Sequence, residues 1–156
     1  MTYDARAIHR IHVQAEAVAA RPPATVWAER DSGDHPAWGD PAWSSTPLAG
    51  PTGCSVGAGQ VAVIPAAGAL GVRTVWLSRV IAVMPGYSVT VETLTGSLEQ
   101  VETITFHDAG NGTTRLAIDS YITVATTAAN LAGVTARFQA LVQAHLDRVA
   151  QWEPPV

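Results

Sequence analysis

The chain has 156 residues and a formal net charge of -4, and all 9 of its Lys or Arg side chains are arginine. The absence of lysine excludes Schiff-base chemistry and a phosphate-binding loop that ends in Gly-Lys-Ser/Thr. Because the arginines are scattered along an acidic chain and form no basic stripe, we expect no nucleic-acid partner.

The first third of the sequence predicts a strand followed by two short helices. Apolar and polar residues alternate over 8–17, as they do in a half-buried strand. Pro22 and Pro23 then suit the first turn of a helix, where backbone amides lack an intrahelical partner. A second short helix is predicted at 35–38.

Six further strands are predicted from runs of β-branched and aromatic residues that Gly and Pro interrupt. The segment 108–112 contains an Asn-Gly turn sequence, which favours a hairpin between the last two strands. The strands are predicted at 43–48, 60–64, 72–83, 87–94, 98–107 and 113–124.

The end of the chain predicts one long helix, from about 126 to 153. Thr126 or Thr127 can cap its start, and Pro154 follows its end. This helix can cover the apolar concave face of an antiparallel sheet. Its apolar stripe, at three- and four-residue spacings, consists of Val134, Phe138, Leu141, Val142, His145, Val149 and Trp152.

The opening of the chain resembles the polyketide cyclase/dehydrase and lipid-transport superfamily (SRPBCC). The shared features are the first strand, Pro-Pro-x-x-Val-Trp at 22–27, Asp31 and Pro-x-Trp at 36–38. The resemblance covers essentially the whole chain and implies one START-like or Bet v 1-like domain over residues 1–156. The implied class is α+β: a helix-grip fold with a seven-stranded curved antiparallel sheet around a long C-terminal helix and two short helices between strands 1 and 2.

The resemblance also implies an elongated cavity between sheet and helix that receives a hydrophobic ligand. A chain of this length can bury a core and still enclose such a cavity. The alternative is that the same side chains fill a solid core.

The segment 75–80 is similar to a strand of the aromatase/cyclase branch, in which Trp, Ser and Arg at alternate positions face the pocket. In that branch the arginine holds a polyketide carbonyl or enolate. Trp76 and Ser78 keep the alternation, but Val80 occupies the third position, and Arg79 points to the opposite face unless a bulge intervenes. Two pocket aromatic residues of that branch are also replaced, by residues near Ala42 and at Ile104. First-ring aromatisation is therefore disfavoured.

Glu102 and His145 are the candidate catalytic residues. Glu102 alternates with Gln100 and Ile104 on the expected inner face of the sixth strand, where burial would raise its pKa towards neutral. His145 lies within the apolar stripe of the helix and could act as general acid or base. The alternatives are a solvated carboxylate near the rim and a core histidine hydrogen-bonded to backbone.

The expected ligand-binding residues lie on the inner faces of the strands, on the helix stripe and at the cavity entrance. Trp38 and Trp43 flank that entrance and could stack on a flat ligand or serve in packing. Strand 7 faces inward with Leu116, Ile118, Ser120 and Ile122 unless a one-residue slip turns Asp119 and Tyr121 inward. The full set is Trp38, Trp43, Trp76, Ser78, Gln100, Ile104, Phe106, Ser120, Phe138, Leu141 and Val142.

We expect no metal and no organic cofactor. His9 and His12 have opposite strand parity and cannot grip one ion together. Cys54 is the single cysteine, which excludes an internal disulfide, and we expect it to be a surface or mouth thiol rather than a nucleophile. The chain shows neither a secretory signal nor a run of ~20 apolar residues, so we expect a cytoplasmic protein without membrane insertion.

The leading hypothesis is an enzyme resembling polyketide cyclases and dehydratases. It would bind a hydrophobic, cyclic or polyketide-like molecule and catalyse its cyclisation or dehydration, since a cavity that folds a flexible chain brings reacting carbons together. The alternative is a non-catalytic carrier or sensor of a lipid or other apolar metabolite, and a third hypothesis is a protein-binding adaptor of the same fold. The expected partner is a hydrophobic small molecule, bound by a monomer or homodimer.

Overall fold

A computed structural model of the chain describes residues 5–65, 73–95 and 98–156. Every predicted element is present within a few residues of its expected bounds, and Val72, the predicted start of the fourth strand, lies outside the described residues. In chain order the elements are β1 (Ala7–Ala19), α1 (Pro23–Asp31), a 3₁₀ turn (Pro36–Trp38), β2 (Ser44–Pro47), β3 (Gly59–Ile64), β4 (Thr74–Met84), β5 (Ser88–Thr95), β6 (Leu98–Gly110), β7 (Thr113–Thr126) and α2 (Leu131–Gln151).

The strands form one antiparallel sheet with the order β1-β7-β6-β5-β4-β3-β2. Helix α2 crosses its concave side and packs mainly on β1, with smaller contacts to β7 and to the 3₁₀ turn. This arrangement confirms the predicted helix-grip fold. Neither described helix is long and apolar enough to span a membrane.

The register of β7 decides which of its faces points inward. Leu116, Ile118, Ser120 and Ile122 are buried to 2% exposure or less, and Tyr121 on the other face is 41% exposed. β7 pairs with both β1 and β6 along its whole length, so a one-residue slip would bury its polar face. The more apolar face is therefore the inner one.

The turn between β6 and β7 follows from its residue types. Asn111 and Gly112 have φ values of 55° and 70°, the left-handed conformations that a two-residue hairpin turn requires. Asn and Gly adopt these conformations at low cost, which is why the dipeptide predicted this hairpin correctly.

The predicted start of the long helix was wrong by five residues. Thr126 is the last residue of β7, where it pairs with Ala7 of β1. Thr127 instead accepts a hydrogen bond from the Asn130 amide at 3.2 Å, in the turn before Leu131. Because Thr126 pairs with β1, strand β7 extends to this residue and α2 begins later than the capping residues predicted.

The buried stripe of α2 consists of Phe138, Val142, Leu146 and Val149. Leu146 is fully buried, and its position was missing from the predicted stripe. Burying a leucine side chain contributes about 1.5–3 kcal/mol. Leu141 and His145, on the flank of this stripe, stay partly exposed.

Two glutamines of α2 cover the free edge of β1. The side chain of Gln139 accepts from the Gln14 amide at 3.3 Å and donates to the Gln14 carbonyl. Gln143 donates to the Glu16 carbonyl at 2.9 Å. These contacts occupy backbone groups that would otherwise be open to pairing with another strand.

A buried ion pair fixes α1 to the end of α2. Arg21 and Glu29 form two parallel hydrogen bonds of 2.7 and 2.8 Å, and the side chain of Glu29 is 7% exposed. The same guanidinium donates to the carbonyls of Val149 at 2.8 Å and Trp152 at 3.1 Å. It thus satisfies carbonyls that lack a partner at a helix end.

Candidate ligand-binding site

A row of polar side chains crosses the inner face of the sheet. Gln60, Ser78, Thr93 and Gln100 lie directly opposite one another on β3, β4, β5 and β6. Ser78 Oγ and Thr93 Oγ1 are 3.1 Å apart, and Gln100 Nε2 donates to Ser120 Oγ at 2.7 Å. The structure therefore brings together Ser78, Gln100 and Ser120, all three predicted to line the site.

Glu102 lies beside this row on the same inner face. Its neighbours Gln100 and Ile104 on that face are 5% and 2% exposed, and Val91 of β5 lies opposite. Gln100 Nε2 approaches Glu102 Oε1 at 3.4 Å. Burial raises the pKa of Glu102 from 4.5 to about 7, against the opposing positive charge of Arg30.

Trp38 lies at the centre of an aromatic cluster that joins the 3₁₀ turn to the sheet and to α2. Its ring centroid is 5.7 Å from that of Phe106 on β6 and 5.9 Å from that of His145 on α2. The Arg30 guanidinium carbon lies 5.9 Å from the Trp38 ring centroid. Two predicted site residues from distant segments, Trp38 and His145, are thus in contact.

His145 is held in its neutral form. Burial, together with the positive charges of Arg148 and Arg30, lowers the pKa of His145 from 6.5 to about 4, and Asp40 opposes this shift. Within the described residues its ring makes no hydrogen bond, which argues against the alternative of a histidine bonded to backbone. At neutral pH the ring adds no charge.

Two indole N–H groups are buried without a hydrogen-bond partner in the described part of the chain, those of Trp38 and Trp76. Trp76 is 7% exposed, and its ring packs edge-on against Trp43 at 5.4 Å between centroids. Buried donors normally find an acceptor, so these two N–H groups are available to a bound molecule.

One group of side chains on the inner face of the sheet, the 3₁₀ turn and α2 is not fully buried. Trp38, Val91, Glu102, Leu141 and His145 stay partly exposed, whereas the inner-face residues around them are buried. We call this group the inner recess. Ile104, Phe106, Phe138 and Val142, also predicted to line the site, are buried in the core beside it.

Two clefts of the described surface lie elsewhere. An open groove of about 660 Å³ lies between α1 and the C-terminal segment, and a smaller one of about 280 Å³ lies beside β1. The Arg21–Glu29 pair lines the first groove, and its polar atoms already have protein partners. Neither groove includes a residue of the inner recess.

No protein-family model matches the sequence, and a search of curated proteins found no match. Solved structures do match. A protein from Thermus thermophilus has a TM-score of 0.69 and 18% identity, covering 90% of this chain and 94% of its own. A START superfamily protein from Mycobacterium smegmatis has a TM-score of 0.68 and 13% identity, covering 88% and 92%.

Norcoclaurine synthase from Thalictrum flavum matches at a TM-score of 0.53 and 15% identity, over 88% of each chain. The chain has the START-like, or Bet v 1-like, helix-grip fold. This fold fits the binding of hydrophobic small molecules. The sequence resemblance implied a cavity between the sheet and the long helix of this fold; the inner recess is a group of partly exposed residues on the inner face of the sheet, the 3₁₀ turn and α2.

The structure confirms that β4 differs from the aromatase-type strand, because its arginine does not share the inner face with Trp76 and Ser78. Arg79 points outward, is 61% exposed and lies 3.5 Å from Glu92. The bulge of β4 falls between Val80 and Ala82, after Arg79, and so does not turn it inward. Arg148 and Arg30 are both cations near the recess, and sequence reasoning missed Arg30.

Cys54 is buried, so the predicted position at the surface or mouth was wrong. The thiol is 7% exposed, and burial raises its pKa to about 11. The cause is the close approach of the preceding loop to α1: the Cys54 amide donates to Asp31 Oδ1 at 2.9 Å. A Cβ added to Gly53 would lie 1.8 Å from the Asp31 carbonyl oxygen, so only glycine allows this approach.

Proposed function

We propose that this chain binds a hydrophobic small molecule in the inner recess and catalyses its cyclisation or dehydration, with Glu102 as the proton carrier. The observation that carries the proposal is the carboxyl group of Glu102, which lies partly exposed on the inner face of the sheet, between Gln100 and Ile104 and opposite Val91. A carboxyl group whose pKa lies near 7 exists in both protonation states at neutral pH. It can therefore take up a proton and return it within one turnover.

For a dehydration, the Glu102 carboxylate would remove a proton from the carbon next to a substrate carbonyl, and the C–H electrons would form an enolate. The protonated Glu102 would then give this proton to the β-hydroxyl group. The enolate would expel that group as water, leaving a carbon–carbon double bond. Binding between α2 and the sheet would hold the reacting atoms in line, which lowers the barrier.

His145 has a different role in this proposal from Glu102. With a pKa of about 4 it is a weak base at neutral pH. We propose that the neutral ring orients the ligand through contact and a hydrogen bond. Ser78 and Gln100 already bond to Thr93 and Ser120, so we assign them to shaping the inner face.

The second candidate function is that of a carrier or sensor. It is favoured by the polar row, in which Ser78 bonds to Thr93 and Gln100 bonds to Ser120, and by the outward position of Arg79. Norcoclaurine synthase, a synthase by name, shares this fold and favours an enzyme instead. A carrier would bind the same class of ligand and release it unchanged.

One experiment tests binding and separates the two functions. The protein is incubated with panels of polyketide, lipid and quinone compounds, and both bound ligand and product are followed by mass spectrometry. We expect Val91→Phe to weaken binding at least about tenfold, because the larger ring occupies the recess. Leu94→Phe, on the outer face of the same strand, is the matched control and should bind as the wild type does.

A converted compound supports the enzyme, and binding without conversion supports the carrier. Equal binding by the two variants would show that the ligand lies outside the recess and would refute both functions as stated here. Circular dichroism of each variant verifies that the fold is retained.

A further inference from the structure

Among the residues that the structure describes, Arg30 is the partly buried arginine with no carboxylate at ion-pair distance. In the described ranges, Arg21, Arg115 and Arg148 are partly buried as well, and each lies within ion-pair distance of a carboxylate. Arg30 has no such carboxylate and no side-chain hydrogen bond among the described residues; its guanidinium lies over the ring of Trp38. A partly buried charge without a counter-ion is costly unless a ligand supplies one.

The position of Arg30 follows from helical spacing. It comes four residues after the buried Val26 and three after Trp27, whose ring packs on Phe106 at 5.2 Å between centroids. Residues at these spacings share one face of a helix, so Arg30 lies on the face of α1 that is turned to the sheet. Its charge opposes the rise in the pKa of Glu102 and contributes to the fall in the pKa of His145, as expected for a cation near the inner recess.

The remaining groups of the recess do not neutralise this cation. His145 is neutral at pH 7, Glu102 is ionised in part only, and Asp40 is already 3.5 Å from Arg148. The buried Trp38 N–H, on the ring that Arg30 covers, adds a donor without an acceptor. One guanidinium and one N–H donor suit a planar group with a single negative charge better than a dianionic phosphate.

We propose that Arg30 and the Trp38 indole N–H bind a carboxylate group of the ligand, so that the substrate class is hydrophobic monocarboxylates. The carboxylate lies against α1 and the 3₁₀ turn, and the apolar body extends over Val91 towards Leu141. This inference rests on the proposed function, since it concerns the ligand of the same recess. It adds the requirement that the ligand carries one negative charge, which hydrophobic binding alone does not demand.

The test compares two probes of nearly the same shape, the anion 2-naphthaleneacetate and the neutral amide 2-naphthaleneacetamide. Each is titrated at pH 7.5 into the wild type, Arg30→Gln and Arg79→Gln by calorimetry. We expect the wild type to bind the acetate at least about tenfold more tightly than the amide. Arg30→Gln should lose this preference while keeping its affinity for the amide, and Arg79→Gln should keep both.

Equal affinity of the wild type for the two probes would overturn the inference and leave the proposed function standing. A preference for the acetate that survives in Arg30→Gln would overturn it as well. Failure of both probes to bind the wild type would count against the proposed function itself. Arg30→Lys, which keeps the charge, is expected to retain the preference. If Arg30→Gln does not fold, Arg30→Met replaces it, because methionine also removes the charge and keeps a long unbranched side chain, and it should lose the preference in the same way.

Discussion

Replacing Glu29 by alanine is expected to lower the free energy of unfolding by about 3–5 kcal/mol, because the change leaves Arg21 buried without its partner. Glu29 is 7% exposed and holds the Arg21 guanidinium through two hydrogen bonds. That guanidinium also binds carbonyls at the end of α2, so its displacement loosens the contact between the two helices. Chemical denaturation at pH 7 measures the effect.

The control is Glu16→Ala, which removes an exposed ion pair with Arg115. Exposed pairs contribute at most about 1 kcal/mol, so this variant should remain close to the wild type. In the double variant Arg21→Ala/Glu29→Ala no unpaired charge remains, and part of the stability should return. Similar losses in Glu29→Ala and Glu16→Ala would show that the buried pair does not hold α1 to α2.

Replacing Glu102 by glutamine is expected to lower turnover of a converted substrate by about 10²–10⁴-fold, the usual contribution of a general acid or base. Ligand affinity should change little, because glutamine keeps the size and polarity of the side chain. Glu99→Gln, on the exposed outer face of the same strand, is the matched control. Unchanged turnover in Glu102→Gln would rule out Glu102 as the proton carrier.

The same substitution should change the pH dependence of stability, even without a known substrate. The folded protein binds the Glu102 proton more tightly than the unfolded chain, since its pKa is raised from 4.5 to about 7. The stabilisation of the folded protein by this tighter proton binding is therefore complete below pH 4.5, and it is lost as the pH rises through 7. Above pH 7 the buried carboxylate costs up to about 3 kcal/mol.

Glu102→Gln should therefore be more stable than the wild type at pH 8, by up to about 3 kcal/mol, and similar to it at pH 4.5. Denaturation curves of Glu102→Gln and Glu99→Gln at both pH values measure this difference. A stability difference of the same size at pH 4.5 and pH 8 would contradict the raised pKa.

The fold could be predicted because its main signals are local. The alternation of β1 and β7 shows which residues are buried, and the Asn111-Gly112 turn sets one hairpin. The start of α2 was mispredicted because the pairing of Thr126 with β1 is a long-range contact. The presence of capping residues in the sequence does not show that a long-range strand pairing competes for them.

Part of the candidate site could also be predicted from a local signal, the alternation of residues along each strand. Strand parity placed Ser78, Gln100 and Glu102 on the inner face, where the structure has them. Arg30 was missed because its importance depends on the position of Trp38, which comes from another element. The i+3 spacing from Trp27 was the available sequence signal, and it indicated only the inward face of α1.

The central claim is that a hydrophobic ligand binds between the sheet and α2. A crystal structure of the protein with 2-naphthaleneacetate tests it most directly. We predict the naphthalene ring against Val91 and Leu141, with its carboxylate at Arg30 and Trp38. A ring bound instead in the groove beside Trp152 and His35, or an inner recess filled by protein side chains in the crystal, would contradict the claim.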